Sequence, residues 1–123
     1  MSPTVMVVED DPATRRLYRF LLINSGYTVV EAEDGVIALE RLANQPCDVV
    51  ITDMNMPRMS GLDLVRTLRQ NNSPVYVIMV TAFGSPDTEK HAFRAGVNEY
   101  LTKPFDFEEL ERRVQNFFSR QAG

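Results

Sequence analysis

Four polar side chains that could bind a cation and handle a phosphoryl group are widely separated in this 123-residue chain. They are Asp10, Asp53, Thr81 and Lys103, and each lies at or just after the end of a short apolar run. In an open parallel sheet the carboxyl ends of the strands share one edge, and ligands bind there. We therefore expect the two carboxylates, the hydroxyl and the ammonium to meet in one pocket.

The pattern around these residues alternates between strands and helices. Short apolar runs predict strands at residues 5–8, 27–30, 49–52, 75–80 and about 98–102. The second run is more mixed, so we expect it nearer a sheet edge. Between and after them, apolar residues recur at helical spacing, with Pro12 and Asp106 typical of helix starts and Gly26 and Gly96 typical of helix ends. The alternation of strands and helices predicts one α/β domain over residues 1–123. Right-handed crossovers between its strands make the sheet parallel. Its fold class is a doubly wound, flavodoxin-like sheet of five parallel strands in the order 2-1-3-4-5.

Two of the predicted helices differ in how firmly they should be held. The fourth helix has a thin apolar stripe, Ala92 and Ala95, so we expect it to be weakly packed. The fifth helix carries Leu110, Val114 and Phe117 on one face and should be firmly docked.

An acidic cluster follows the first strand. Glu9, Asp10 and Asp11 are consecutive, and the predicted strand order places Asp53 beside them. Like charges at one site repel and raise one another's pKa values, which favours a bound cation. Mg²⁺ suits oxygen ligands of this kind, so we expect Asp10 and Asp53 as direct ligands and Glu9 as a ligand through water. No role is assigned to Asp11, which we interpret as a solvated loop residue.

Asp53 has a second chemical possibility, because a carboxylate can attack a phosphoryl group and form an aspartyl phosphate. Lys103 would neutralise charge on the transferred oxygens, and Thr81 would donate its hydroxyl to one of them. Taken singly, Thr81 is an ordinary strand-end residue and Lys103 an ordinary surface lysine. The proline after Lys103 makes a cis peptide bond a candidate there, which would direct the lysine inward.

Four stretches of the chain together resemble the receiver domain of bacterial two-component response regulators. They are residues 7–11, residues 53–57 with Ser60-Gly61, Thr81-Ala82, and residues 100–105. The resemblance covers the whole chain and implies that Asp53 accepts phosphate from the phosphohistidine of a histidine kinase. It also implies that the backbone carbonyl of Asn55 joins Asp10 and Asp53 around Mg²⁺, and that Lys103 contacts the phosphoryl group.

The resemblance further implies a switch. Thr81 turns toward the arriving phosphoryl group, and Tyr100 then moves inward and changes the face formed by the fourth helix, fifth strand and fifth helix. The alternative for Tyr100 is a half-buried strand aromatic with its hydroxyl in water. The implied partners are a sensor histidine kinase or phosphotransfer protein and a downstream effector domain or protein. A homodimer is left open, because residues 96–99 lack the acidic pair often seen in receivers that dimerise through this face.

Composition limits the other classes of partner. The net charge is −4 and no basic patch is evident, so direct binding to nucleic acid is not expected. No stretch approaches the roughly 20 apolar residues of a membrane span. The chain leads straight into its first strand, so no signal peptide is expected. Cys47 is the only cysteine, which excludes an internal disulfide and fits a cytoplasmic location.

Two rival functions use similar folds. A haloacid dehalogenase-type phosphatase also has a strand-end aspartate and Mg²⁺, but it needs a second aspartate two residues on as general acid and base. That position is Asn55, which cannot transfer a proton in this way, so a phosphoaspartate would persist. We therefore expect no enzyme beyond slow self-phosphorylation and self-dephosphorylation. A flavin-binding carrier would need a phosphate loop after the first strand, where Glu9, Asp10 and Asp11 would repel it.

Overall fold

A computed structural model describes residues 3–122 and contains a five-stranded parallel sheet in the order β2-β1-β3-β4-β5. The strands are β1 (Thr4–Val8), β2 (Thr28–Ala32), β3 (Val49–Asp53), β4 (Tyr76–Thr81) and β5 (Glu99–Thr102). The helices are α1 (Pro12–Asn24), α2 (Gly35–Asn44), α3 (Gly61–Gln70), α4 (Pro86–Ala95) and α5 (Phe107–Ala122). The predicted fold class and strand order are confirmed. Residues 1, 2 and 123 of the predicted domain lie outside the described residues.

The sheet separates two hydrophobic cores. Alternate residues of each strand point to opposite faces, so neighbours such as Met6 and Val7 belong to different cores. Helices α2, α3 and α4 cover one face, with Leu64 as a fully buried contact. Helices α1 and α5 cover the other, with Leu22 and Leu110 fully buried. Burial on both faces explains why the central strands read as continuous apolar runs.

Local sequence signals set most helix ends. The side chain of Ser85 accepts a hydrogen bond from the backbone N–H of Thr88 and begins α4, as its type and position predict. Gly96 ends α4 with φ +112°, and Gly26 follows α1 with φ +98°, which are conformations that favour glycine.

The two C-terminal helices differ in packing as predicted. All ten residues of α4 are described, and Ala92 alone among them is buried. In α5, Leu110 and Val114 are both fully buried, and the ring of Phe117 lies 4.5 Å from that of Tyr76. The free energy that holds α4 against the sheet is therefore smaller than the free energy that holds α5.

The predicted strand bounds are wrong by one or two residues in places. The clearest case is β2, which was expected at residues 27–30 and extends to Ala32. Glu31 interrupts the apolar pattern, yet it continues the strand and pairs in register with Val7. A polar side chain is tolerated there because β2 is an edge strand. Among residues 3–122, no helix combines the length and the apolar content that crossing a membrane requires.

Candidate functional site

The carboxyl ends of four strands bring the sequence-predicted residues to one edge of the sheet. Strand β1 ends just before Glu9 and Asp10, and β3 ends at Asp53 itself. Val8 pairs with Thr52 in register, which places the two acidic segments side by side. Thr81 ends β4, and Lys103 follows β5 directly.

These side chains form a compact charged cluster. The Lys103 Nζ lies 3.2 Å from Asp53 Oδ2 and 3.4 Å from Glu9 Oε1. One carboxylate oxygen from each of Glu9, Asp10 and Asp53 lies within 4.8 Å of the others. The peptide bond between Lys103 and Pro104 is cis, as the sequence indicated. The structure therefore brings together four predicted site residues, which are Glu9, Asp10, Asp53 and Lys103. Their chemical roles stay predictions.

Burial and charge act in opposite directions in this cluster. Glu9 is 4% exposed, and this burial raises the pKa of its carboxyl. The hydrogen bond from the Asp11 N–H and, to a smaller extent, the charge of Lys103 lower this pKa. The carboxyls of Asp10 and Asp53 raise it, and the net shift is upward. Burial lowers the pKa of Lys103, but the charges of Asp53 and Glu9 raise it by more, so the net shift is upward. Lys103 is therefore an ammonium held among carboxylates.

The cluster has the donor set of a divalent-cation site. Three carboxylates converge on one side, and Lys103 supplies one positive charge against them. Hard cations such as Mg²⁺ take oxygen ligands of this type at sites that retain water. The carboxylate oxygens of Glu9, Asp10 and Asp53 therefore fit such an ion. Asp10 is exposed, so water molecules can reach the cluster and complete the coordination of the ion.

Thr81 and Asn55 lie at the margins of the cluster. Thr81 is fully buried, and its Oγ1 accepts a hydrogen bond from the Phe83 N–H at 3.1 Å, which leaves the hydroxyl hydrogen able to donate elsewhere. The Asn55 N–H donates to Asp53 Oδ1 at 3.2 Å. The loop after β3 therefore folds back onto the Asp53 side chain.

A close approach of backbone segments keeps this loop tight. The Gly61 N–H donates to the Met54 carbonyl at 2.8 Å. A Cβ at Gly61 would lie 2.1 Å from the Asp53 carbonyl oxygen, so any larger residue would displace the loop that follows Asp53.

An ion pair that the sequence analysis missed ties the same loop to α2. Arg58 has φ +66°, and its guanidinium contacts the carboxylate of Asp34. Asp34 is 1% exposed and also accepts the Ile37 N–H at 2.9 Å as the N-cap of α2. The two residues are 24 positions apart, so no local pattern could have paired them.

Asp11 has a role that the sequence analysis did not assign. Its carboxylate accepts the Thr14 N–H at 2.9 Å and caps α1, and bonds from Thr14 lower the pKa of this carboxyl. Its own N–H donates to Glu9 Oε2 at 3.2 Å. An aspartate directly before Pro12 is typical of an N-cap, so the signal was available.

The Tyr100 hydroxyl has a protein neighbour, whereas the alternative interpretation from the sequence placed this hydroxyl in water. Tyr100 is half-buried, but its hydroxyl oxygen lies 3.0 Å from Thr88 Oγ1 in the first turn of α4. Its ring lies 6.4 Å from that of Phe93, a further α4 residue. Tyr100 therefore connects β5 to α4, the helix with the smallest buried face.

Comparisons with known proteins agree with this fold and site. The family model described as response regulator receiver domain matches residues 5–115. Response regulator MprA of Mycobacterium ulcerans is 39% identical over 120 residues, which is 98% of this chain and 52% of that protein. The chain therefore spans about half the length of this relative. Chemotaxis protein CheY of Pseudomonas aeruginosa is 38% identical over 122 residues, covering 97% of this chain and 98% of that protein.

Solved structures give the same result. The receiver domain of the Francisella response regulator 1452 superposes with a TM-score of 0.92 at 31% identity, covering 97% of this chain and 98% of that one. The fold, the acidic cluster at the strand ends and these matches lead to one conclusion: the chain belongs to the response regulator receiver domain family.

Proposed function

We propose that this chain is a phosphoacceptor signalling domain in which Asp53 receives a phosphoryl group from a histidine kinase or a phosphotransfer protein. One observation carries the proposal. Asp53 ends a central strand with Lys103 Nζ 3.2 Å from its Oδ2 and with two further carboxylates near it. A carboxylate in such surroundings can act as a nucleophile toward phosphorus.

The transfer step forms an O–P bond between an Asp53 carboxylate oxygen and the phosphorus atom. The P–N bond of the donor's phosphohistidine breaks, and its electron pair stays on the donor's imidazole. Lys103 donates hydrogen bonds to the oxygens of the transferred group, and the Thr81 hydroxyl donates to one of them. Both residues border the nucleophile, Lys103 by direct contact and Thr81 one position beyond Val80, the residue paired with Asp53.

Mg²⁺ is the proposed cofactor. Asp10, Asp53 and the backbone carbonyl of Asn55 would hold it directly, and Glu9 would act through water. The bound ion would neutralise negative charge on the phosphoryl oxygens. The support is the donor set, in which carboxylate oxygens of three residues lie within 4.8 Å of one another.

The output is a rearrangement of the surface formed by α4, β5 and α5. Asp53 already carries a negative charge, so phosphorylation chiefly adds acceptor oxygens that Thr81 and Lys103 can reach. We expect Thr81 to turn toward them and Tyr100 to leave Thr88 and move inward. Helix α4 is the element to shift, because Ala92 is its one buried residue.

The partners that follow are a phosphodonor protein and a downstream effector domain or protein, in the cytoplasm. Homodimerisation through the α4-β5-α5 surface stays open. The net charge of −4 gives the chain as a whole no attraction for nucleic acid.

Acetyl phosphate with Mg²⁺, followed by intact mass measurement, tests the proposal. The wild type should gain one phosphoryl group, and Asp53→Asn should gain none. Asp87→Asn is the matched control, because Asp87 is an exposed aspartate in the first turn of α4, and it should be phosphorylated like the wild type. A phosphoryl group on Asp53→Asn, or multiple turnover of sugar phosphates by the wild type, would contradict the proposal.

A further inference from the structure

A groove of about 530 Å³ between α3 and α4 is lined by basic and polar side chains and contains no acidic one. Its lining residues are Arg66, Arg69, Gln70, His91, Arg94 and Ala95. The positive charge of the groove is opposite in sign to that of the whole chain, which has 17 acidic and 13 basic residues. The sequence showed no basic patch because these arginines come from two helices, and folding brings them together.

The three guanidinium groups are engaged to different degrees. Arg69 is committed to the protein, since it donates to the carbonyl oxygens of Gly96, Ser73 and Val75. Arg66 has an exposed partner, Asp63 at 3.2 Å. Arg94 has no hydrogen-bond or ion-pair partner within residues 3–122. Arg66 on α3 and Arg94 on α4 can therefore donate to a ligand, while Arg69 adds positive charge to the groove.

The lining decides which kind of ligand suits the groove. Guanidinium groups bind phosphate through paired, charge-assisted hydrogen bonds. Ala95 is the only aliphatic lining residue, so a protein segment would find no hydrophobic side chain to anchor it. The arginines instead favour a compact anion with several charges as the ligand. We propose that the α3–α4 groove binds the polyphosphate group of a small molecule, either free polyphosphate or a nucleoside polyphosphate.

A titration of the isotope-labelled chain with inorganic triphosphate tests this site. EDTA is present throughout, because a divalent cation could recruit phosphate to the carboxylate cluster around Asp53. Amide chemical shifts should change at residues 66–70 and 91–95. Both target arginines are exposed, so Arg66→Gln/Arg94→Gln should fold normally, and it should bind roughly tenfold more weakly through loss of two exposed charge contacts. Arg112→Gln is the matched control, an exposed arginine on α5, and it should bind like the wild type.

Further ligands identify the group that is bound. Adenosine triphosphate should bind at least as tightly as inorganic triphosphate, and adenosine should bind much more weakly, because the arginine contacts are made to the phosphates. Absence of localised shifts up to about 10 mM triphosphate, a range that already includes very weak affinities, would overturn the proposal. Unchanged affinity in the double variant would overturn it too. So would a polyglutamate peptide or duplex DNA binding in this groove where triphosphate does not.

Discussion

Replacing Asp10 with asparagine should change stability in opposite directions with and without Mg²⁺. Without metal, the Asp10 carboxylate lies within 4.8 Å of carboxylate oxygens of Glu9 and Asp53. Glu9 is also its neighbour in the unfolded chain, but the repulsion between Asp10 and Asp53 arises only on folding. The asparagine amide has nearly the same shape and no charge. Asp10→Asn should therefore stabilise the metal-free protein while removing a ligand from the proposed Mg²⁺ site.

The size of the effect follows from the geometry. Two unit charges 4.8 Å apart repel by about 0.9 kcal/mol in water, which is the repulsion that folding adds between Asp10 and Asp53. Lys103 lies beside Asp53 and offsets part of this repulsion. We expect a net gain of about 0.5 kcal/mol, or about 2 °C in Tm for a domain of this size. Mg²⁺ at about 50 mM would stabilise the wild type by about 2.3 kcal/mol if the Kd is about 1 mM.

Thermal unfolding in EDTA and in Mg²⁺, with ionic strength matched by NaCl, measures both effects. Asp10→Asn should be the more stable protein in EDTA and the less stable one in Mg²⁺. Glu40→Gln is the control, because Glu40 is an exposed acidic residue on α2, and it should follow the wild type in both. Lower stability of Asp10→Asn in EDTA would refute the repulsion, and a full Mg²⁺ response in this variant would refute the ligand assignment.

Three further predictions concern residues outside the carboxylate cluster. Arg69→Ala should lower the free energy of unfolding by about 3 kcal/mol in urea titrations, because it leaves the Gly96 carbonyl and others without a donor; a change typical of surface residues would contradict this. Burial raises the pKa of Cys47 to about 11 from its ordinary 9.0. At pH 8 its thiolate fraction should fall from about one in ten to about one in a thousand, so iodoacetamide should react about a hundredfold more slowly than in urea; equal rates would show that burial has no effect. Arg58→Ala should weaken Mg²⁺ binding about tenfold by freeing the loop after β3 and leaving Asp34 without its cation. Unchanged affinity in a magnesium titration would show that this loop holds its position without the ion pair.

The sequence predicted the fold and the convergence of the site for a physical reason. A parallel sheet buries its strands on both faces, so the strands read as apolar runs and their carboxyl ends are easy to locate. Once the strand order was inferred, Asp53 had to lie beside Glu9 and Asp10. The C-terminal bound of β2 was predicted wrongly, because Glu31 is polar and ends the apolar run. On this edge strand Glu31 forms ion pairs with Arg15 and Arg19.

The supporting contacts were beyond sequence reasoning. Arg58 and Asp34 are 24 residues apart, and Arg69 and Gly96 are 27 residues apart. Such pairs depend on how helices and loops are placed after folding, and no short pattern encodes them. The Asp11 cap is different, because its signal is local and was available beside Pro12.

The division of the interior into two cores has a consequence for how substitutions combine. Leu64 and Leu110 are both fully buried, but they lie on opposite faces of the sheet and share no packing partners. Truncating both to alanine should give a loss of stability close to the sum of the two single losses. The packing of the α2-α3-α4 side can therefore change without altering the cost of substitutions on the α1-α5 side, so each core can tolerate sequence change independently of the other.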